Sequence, residues 1–263
     1  MLIAQISDPH LRPRAVLYQG MVDSNAMFAA AIAQVDRLRP DLVILTGDVT
    51  DGGTQAEYAV AREMLSALAM PLLVIPGNHD EPAAFRAAFA DHAYLPGSGP
   101  MHYASTEHGP VRVVALDVTV PGEHHGVVDA AAAEWLDRTL ALEPARPTLI
   151  MMHQPPLACG VPYLDAYRCL EEGRLAEIVG RYPAVERIAC GHVHRLMQLR
   201  FAGTVLCTAP STTTAIALRL APDAAPASFI EPPGLLLHHW RPGIGLLTHL
   251  IPIGTFPGPM PFA

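Results

Sequence analysis

The sequence predicts an α/β fold, and three observations predict it. Short apolar runs of strand length alternate with stretches of helical period. The runs are continuously apolar rather than alternating, the pattern of strands covered on both faces. Five of them also end, on their carboxyl side, in Asp, Asn or His. In open α/β sheets that is the edge where loops converge on a ligand.

Composition narrows the class. At 263 residues, 51% hydrophobic and 16% charged, the chain has the material for a packed core, and no internal repeat or domain linker interrupts it. One domain is the expectation. A net charge of −8 and no basic cluster repel a nucleic-acid polymer. No apolar run approaches the roughly 18 residues of a membrane span. The start "MLIAQISDPH" has no basic flank and no small-residue cleavage site, so no signal peptide and no membrane partner are expected. The cysteines Cys159, Cys169, Cys190 and Cys207 are scattered without C-x-x-C spacing, which reads as reduced thiols in a cytoplasmic protein.

The elements follow in order. "LIAQI" (2–6) is a strand, a helical pattern covers 24–38, and "DLVILT" (41–46) is the next strand. A helix near 55–68 leads to "PLLVIP" (71–76), and one near 82–90 precedes "VRVVALD" (111–117). A helix over 129–142 leads to "PTLIMM" (147–152), and one over 169–181 to "RIAC" (187–190). The end of the chain is β-rich: a hairpin over 197–208, then "LLLHHW" and "GLLTHLI" joined through "RPGI". The Pro/Ala-rich stretch 221–234 reads as a surface loop, and the tail "PIGTFPGPMPFA" has too many prolines for regular structure.

The polar ends of the strands carry the chemistry. They supply Asp8 and His10 ("SDPH"), Asp48 ("GDVTD"), Asn78 and His79 ("GNHD"), His153, and His192 and His194 ("GHVH"). Taken singly, "DPH" is a loop tripeptide, "NHD" a turn and "GHVH" a strand with surface histidines. Five such ends in one chain call for metal. Imidazole, carboxylate and amide oxygen suit borderline ions such as Zn, Fe, Mn or Co, and the absence of thiolate argues against a structural zinc knot. The donors exceed the needs of one ion and fit two ions roughly 3.5–4 Å apart that share a carboxylate. Gly47, Gly77 and Gly191, just before the ligands, permit tight turns or close backbone approach.

In this order, D-x-H, GDxxD, GNHD, a lone His after a strand and GHxH resemble the calcineurin-like metallophosphoesterases. The resemblance is nearer to their bacterial class III cyclic-nucleotide phosphodiesterase and glycerophosphodiesterase branch. It extends through "LYQGMVDSNAMFAAAIAQV", "EYAVAREML", "HGVVDAAAAEWLDRTL" and "MMHQPPL", over roughly 1–217. It implies a four-layer α/β/β/α sandwich of two mixed sheets flanked by helices. Residues 1–217 would form the catalytic core, and 218–263 a C-terminal β-hairpin cap and tail of the same domain.

The resemblance also assigns roles. One ion, divalent or trivalent, would be held by Asp8, His10, Asp48 and His194, and the second by Asp48, Asn78, His153 and His192. His79 would stay off the metals, beside the substrate phosphate, stabilising charge or protonating the leaving oxygen. Asp51 would serve the loop or a helix cap, and Asp80 would brace His79 or the turn. The implied activity is hydrolysis of small phosphodiesters, glycerophosphodiester or cyclic nucleotide, by in-line attack of a metal-bridging hydroxide, with Asp48, Asn78 and His79 as the catalytic residues. A phosphomonoesterase or nucleotide pyrophosphatase of the same superfamily is the enzymatic alternative, and a non-catalytic metal-binding module is the alternative of another class. No G-x-S-x-G, P-loop or dinucleotide motif supports other chemistry.

Other residues carry less. His124 and His125 are adjacent and read as exposed loop residues, Tyr163 as a loop residue overhanging the site, and Trp135 as core. His238, His239 and His249 read as surface or interface. The apolar C-terminal hairpins cover the domain or form a subunit interface, and a homodimer or higher homo-oligomer is expected from the resemblance.

Overall fold

The computed structural model describes residues 1–261, and the last two residues of the proline-rich tail lie outside it. Two sheets lie face to face. The first contains β1 (Leu2–Ile6), β2 (Leu42–Thr46), β3 (Leu72–Ile75), and the C-terminal hairpin β14 (Gly234–Arg241) and β15 (Gly245–Pro252). Its order is β15-β14-β1-β2-β3, parallel from β1 to β3 and antiparallel across β14. The second contains β4 (Tyr103–Ser105), β5 (Arg112–Ala115), β7 (Thr148–Met151), β9 (Val185–Cys190), β10 (Met197–Phe201) and β11 (Thr204–Thr208). Its order is β10-β11-β9-β7-β5-β4, with β5, β7, β9 and β11 parallel and an antiparallel strand at each edge. Four two-residue strands make two small ladders, β6 (Gly126–Val127) with β8 (Cys169–Leu170) and β12 (Ala215–Ile216) with β13 (Ser228–Phe229).

Why the strands read as continuously apolar is now plain. Side chains alternate between two faces, and both are buried. In β2, Leu42 and Ile44 enter the layer between the sheets while Val43 and Leu45 enter the layer under the helices. In β7, Leu149 and Met151 face the first sheet and Ile150 faces the helices of the second. The first sheet is covered by α1 (Ser24–Leu38), α2 (Gln55–Leu65) and α3 (Pro82–Ala88), the second by α4 (Ala130–Leu142) and α6 (Glu172–Val179). The α/β/β/α order of layers follows.

Local signals set the helix ends. Asp23, Glu81 and Asp129 accept backbone N–H groups at the starts of α1, α3 and α4, and Thr54 with Glu57 makes a reciprocal box at α2. The helix expected from 169 begins later, because Cys169 and Leu170 are drawn into the ladder with β6 and Glu171 sits in left-handed backbone at φ 64°. A single turn, α5 (Pro162–Asp165), lies in the loop after β7. The C-terminal hairpin does not lie loose on the surface. β14 pairs with β1 in register from Leu2↔His239 to Gln5↔Leu236, so residues 234–252 complete the first sheet. Among the described residues no helix is long and apolar enough to cross a membrane.

Candidate metal centre

The carboxyl ends of β1, β2, β3, β7 and β9 meet on one side of the sandwich, and each delivers its polar residues there. The backbone at this edge is bent hard. Asp8, His10, Asp48, His192 and His194 all have positive φ, between 43° and 69°. For non-glycine residues this conformation costs about 1–3 kcal/mol each and persists only where surroundings impose it. They do so here: the Asp8 and His10 amides donate to the Gly47 and Asp48 carbonyls (3.2 and 3.1 Å), and the His192 amide donates to the Asp8 carboxylate (3.0 Å).

Among the described residues three groups of donors lie close together; His10, Asp51 and His79 form one, and the other two share Asp48. Ligand atoms of Asp8, His10, Asp48 and His194 lie within 4.8 Å of one another, and so do those of Asp48, His153 and His192. His10 Nε2 lies 3.6 Å and His153 Nε2 3.2 Å from Asp48 Oδ2, while His194 Nε2 lies 3.5 Å from Asp8 Oδ1. Asn78 Oδ1 is 3.2 Å from His153 Nε2, which places it at the second group. Asp8, His10, Asp48, His153, His192 and His194 are all buried.

Do these residues fit metal? His153 Nδ1–H donates to the Thr46 carbonyl (2.7 Å) and His194 Nδ1–H to the Thr214 carbonyl (2.9 Å), which turns both Nε2 atoms toward the carboxylates. Outer hydrogen bonds of this kind hold imidazoles for metal. The buried His192 Nε2 has no hydrogen-bond partner, and the Nε2 atoms of His10 and His194 approach to 3.1 Å. Buried polar atoms without partners are costly, and a cation satisfies them together. The donor set fits divalent metal.

The electrostatics point the same way. Burial works against the His153 cation, yet Asp48 beside it, with Asp8 and the Thr46 carbonyl, pushes it up to about 9. Burial likewise opposes the Asp48 anion, but His153, His79 and His10 hold its carboxyl well below the usual range. His10 is raised against the burial penalty by Asp51, Asp48 and Asp8. Burial holds His192 well below 6.5 and His194 down to about 4, with neighbouring imidazolium charge adding to it. The carboxylates of the cluster favour positive charge beside them, which a divalent cation would supply.

Three glycines make this proximity possible, and a Cβ on Gly191 would stand 2.3 Å from Ser7 Oγ and 2.8 Å from Asp8 Oδ2. A Cβ on Gly77 would stand 2.2 Å from Asp48 Oδ1 and 2.8 Å from His153 Nε2. One on Gly47, at φ +92°, would stand 2.3 Å from His153 Nδ1.

His79 sits at the mouth of the cluster. Its amide donates to Asp48 Oδ1 (2.9 Å) and its Nδ1–H to the Asp51 carbonyl (2.8 Å), leaving Nε2 free. Asp80 braces the loops: it accepts from the Val49, Thr50 and Gly77 amides and from the Tyr58 hydroxyl. Asp51 does more than serve the backbone. Its carboxylate accepts from Arg12 at 2.8 Å and lies at ion-pair distance, 3.4 Å, from His10 Nδ1, which makes no hydrogen bond.

Above the cluster opens a cleft of about 360 Å³, lined by Tyr18, His79, His124, Tyr163, Tyr167 and Thr214 among others. Tyr163 overhangs it, as its loop position led us to expect. His124 is the exposed loop residue that the sequence implies, with one addition. Though exposed, it lines the cleft and accepts from Asn78 Nδ2 at 3.2 Å, which turns Asn78 Oδ1 toward the cluster. His238 corrects the sequence reading: it is fully buried, not at the surface. Trp135 is partly buried and stacks on His102. No arginine lines the cleft, and the chain contains no lysine.

Comparison with known proteins agrees with this geometry. A family-wide sequence model described as calcineurin-like phosphoesterase matches residues 1–196. The chain is 34% identical to a probable glycerophosphodiester phosphodiesterase of Arcobacter nitrofigilis, over 100% of this chain and 97% of that protein. It is 30% identical to the 3',5'-cyclic adenosine monophosphate phosphodiesterase of Escherichia coli K12, over 80% of this chain and 75% of that one. Among solved structures, a dimetal phosphatase from Danio rerio superposes with a TM-score of 0.66 at 15% identity, over 97% and 99% of the two chains, a likeness of fold.

Proposed function

The chain belongs to the calcineurin-like phosphoesterase family, and from that premise we propose that it is a binuclear metal-dependent phosphodiesterase acting on small diesters of glycerophosphodiester or cyclic-nucleotide type. The observation that carries the reading is the pair of donor groups sharing Asp48 beneath an open cleft. Asp8, His10, Asp48 and His194 would hold one divalent ion, and Asp48, Asn78, His153 and His192 the other. Fe, Mn, Zn and Co all suit nitrogen and oxygen donors. Metal held by these residues would supply an acidified water and charge to offset that of the phosphate.

The chain's own residues do the rest. Asp48 serves both donor groups with one carboxylate. Asn78, turned by His124, presents its amide oxygen inward. As the imidazolium, with Nδ1–H fixed on the Asp51 carbonyl, His79 presents Nε2–H at the cleft, where it can donate to a phosphate oxygen or hand that proton to the departing alkoxide. With no arginine in the lining beside its histidines, the cleft offers no fixed cation of its own for the second charge of a monoester, which favours a diester. The names of the relatives support the diester class. Bis(p-nitrophenyl) phosphate and p-nitrophenyl phosphate, assayed with added Mn(II) or Co(II), test this. Faster diester turnover, abolished by chelation, is expected; faster monoester turnover would make the protein a phosphomonoesterase.

Two further readings belong with this one. Residues 1–217 would form the catalytic core, and the described residues from 218 on would belong to the same domain. Leu247 and Leu250 are exposed on β15, an edge strand of the first sheet, which favours a homodimer or higher homo-oligomer. A monomer by light scattering would refute it. Four free cysteines fit a reducing, cytoplasmic setting.

A further inference from the structure

The layer between the sheets is apolar along most of its length, with Ile3, Ile44, Leu73, Val113, Leu149 and Met151. It turns polar at the end facing the metal centre. Gln5, Thr46 and His238 lie there, each fully buried. A buried amide or imidazole costs free energy unless it is hydrogen-bonded, and an apolar side chain would carry no such cost. These groups are bonded completely. Gln5 Nε2 donates to Thr46 Oγ1 (3.0 Å) on β2 and to the Cys190 carbonyl (2.9 Å) at the end of β9.

The carbonyl can only accept, so the Gln5 amide orientation is fixed and its Oε1 faces His238 Nε2–H at 3.1 Å. His238 Nδ1 then accepts from the Thr248 hydroxyl at 2.9 Å. Beyond Gln5 the chain of bonds runs into the site: Thr46 Oγ1 donates to Ser7 Oγ (2.7 Å), and the Thr46 carbonyl accepts from His153 Nδ1 (2.7 Å).

The donors of the proposed metal pair come from both sheets. Asp8, His10, Asp48 and Asn78 follow β1, β2 and β3, whereas His153, His192 and His194 follow β7 and β9. Apolar contact between sheets is non-directional and tolerates sliding. A hydrogen bond sets distance and angle. We infer that Gln5, held by His238 of the C-terminal hairpin, is a positioning residue for the metal centre: its amide ties the strand that delivers Asp48 to the strand that delivers His192 and His194, and so fixes the gap the ions span. The inference rests on the binuclear reading above.

The test uses Gln5→Leu, Thr46→Val and His238→Gln in the full chain. Mn(II) affinity is measured by competition with a chelator, and thermal midpoints are measured without metal and with saturating Mn(II). Loss of a group that orients ligands weakens metal binding by about 10–100-fold. That loss is expected in Gln5→Leu, with native circular dichroism and a smaller Mn(II)-induced rise in midpoint. His238→Gln, which keeps an N–H donor, should retain more affinity. Should Gln5→Leu fail to fold, Thr46→Val preserves side-chain shape and carries the same expectation. Folded variants that bind Mn(II) like the wild type, or that lose midpoint equally with and without metal, would overturn the inference while leaving the binuclear reading standing. A wild-type chain that binds no divalent ion would overturn both.

Discussion

Replacing Gly77 with alanine adds one methyl group to the most crowded point of the centre. Its Cβ would meet Asp48 Oδ1 at 2.2 Å, the Asp48 amide nitrogen at 2.3 Å and His153 Nε2 at 2.8 Å, where ordinary contact begins near 3.4 Å. The two side-chain atoms belong to donors of the second group, and the third is backbone, so no flexible end can swing away. Relief needs a shift of about 1 Å, and a misplacement of that size at a reacting centre costs about 10²-fold in rate. Overpacking adds about 1–3 kcal/mol of destabilisation. Gly77→Ala should therefore lose metal content and about 10²-fold in diester kcat. Gly97→Ala, whose Cβ meets nothing within 4 Å, should behave as wild type. Plasma emission analysis of metal per chain and steady-state kinetics are the assays. A folded Gly77→Ala protein with full metal content and full turnover would refute the crowding argument.

Other predictions follow from single residues. His79→Ala should keep its metals yet lose about 10²–10⁴-fold in kcat, the range of a general acid; metal loss instead would make His79 a ligand. His124→Ala should raise the metal concentration needed for half-maximal activity, because Asn78 loses the acceptor that turns it; an unchanged activation curve would count against that role. Burial first, and then Arg187, hold His238 down to about 3, whereas the unfolded chain takes up that proton near 6.5. The unfolded state therefore binds more protons between those values, and stability falls as pH drops from 6.5 toward 3, by up to about 1.4 kcal/mol per pH unit. His238→Gln should flatten the urea-derived stability curve over pH 4–6 by that amount; an unchanged slope would show that His238 is not buried neutral. Gly173, near the start of α6 with open space around it, should stabilise the fold by about 0.5–1 kcal/mol as alanine without affecting turnover.

Much of the site was legible because each donor follows a strand exit. Asp48, Asn78 and His192 come directly after a glycine that lets two backbones meet, and such local punctuation survives in sequence. The helices were legible where caps bound them, as at Asp23, Thr54 and Asp129. What periodicity does not say is which sheet a strand joins: Leu42 and Leu149 both read as buried, and only the resemblance implied two sheets. His124 was missed because its value lies in a long-range bond to Asn78, 46 residues away. His238 was missed because "LLLHHW" looks like a hairpin running to solvent, whereas alternate positions Leu236, His238 and Trp240 share the face that packs between the sheets. The two-residue ladders around Gly126 and Ala215 are too short to leave any period.

Anomalous diffraction from crystals grown with Mn(II) or Zn(II) asks most directly whether two ions share Asp48. Two peaks should appear, one among Asp8, His10, Asp48 and His194, the other among Asp48, Asn78, His153 and His192. A single peak, or none, in crystals of protein that still cleaves bis(p-nitrophenyl) phosphate would contradict the account.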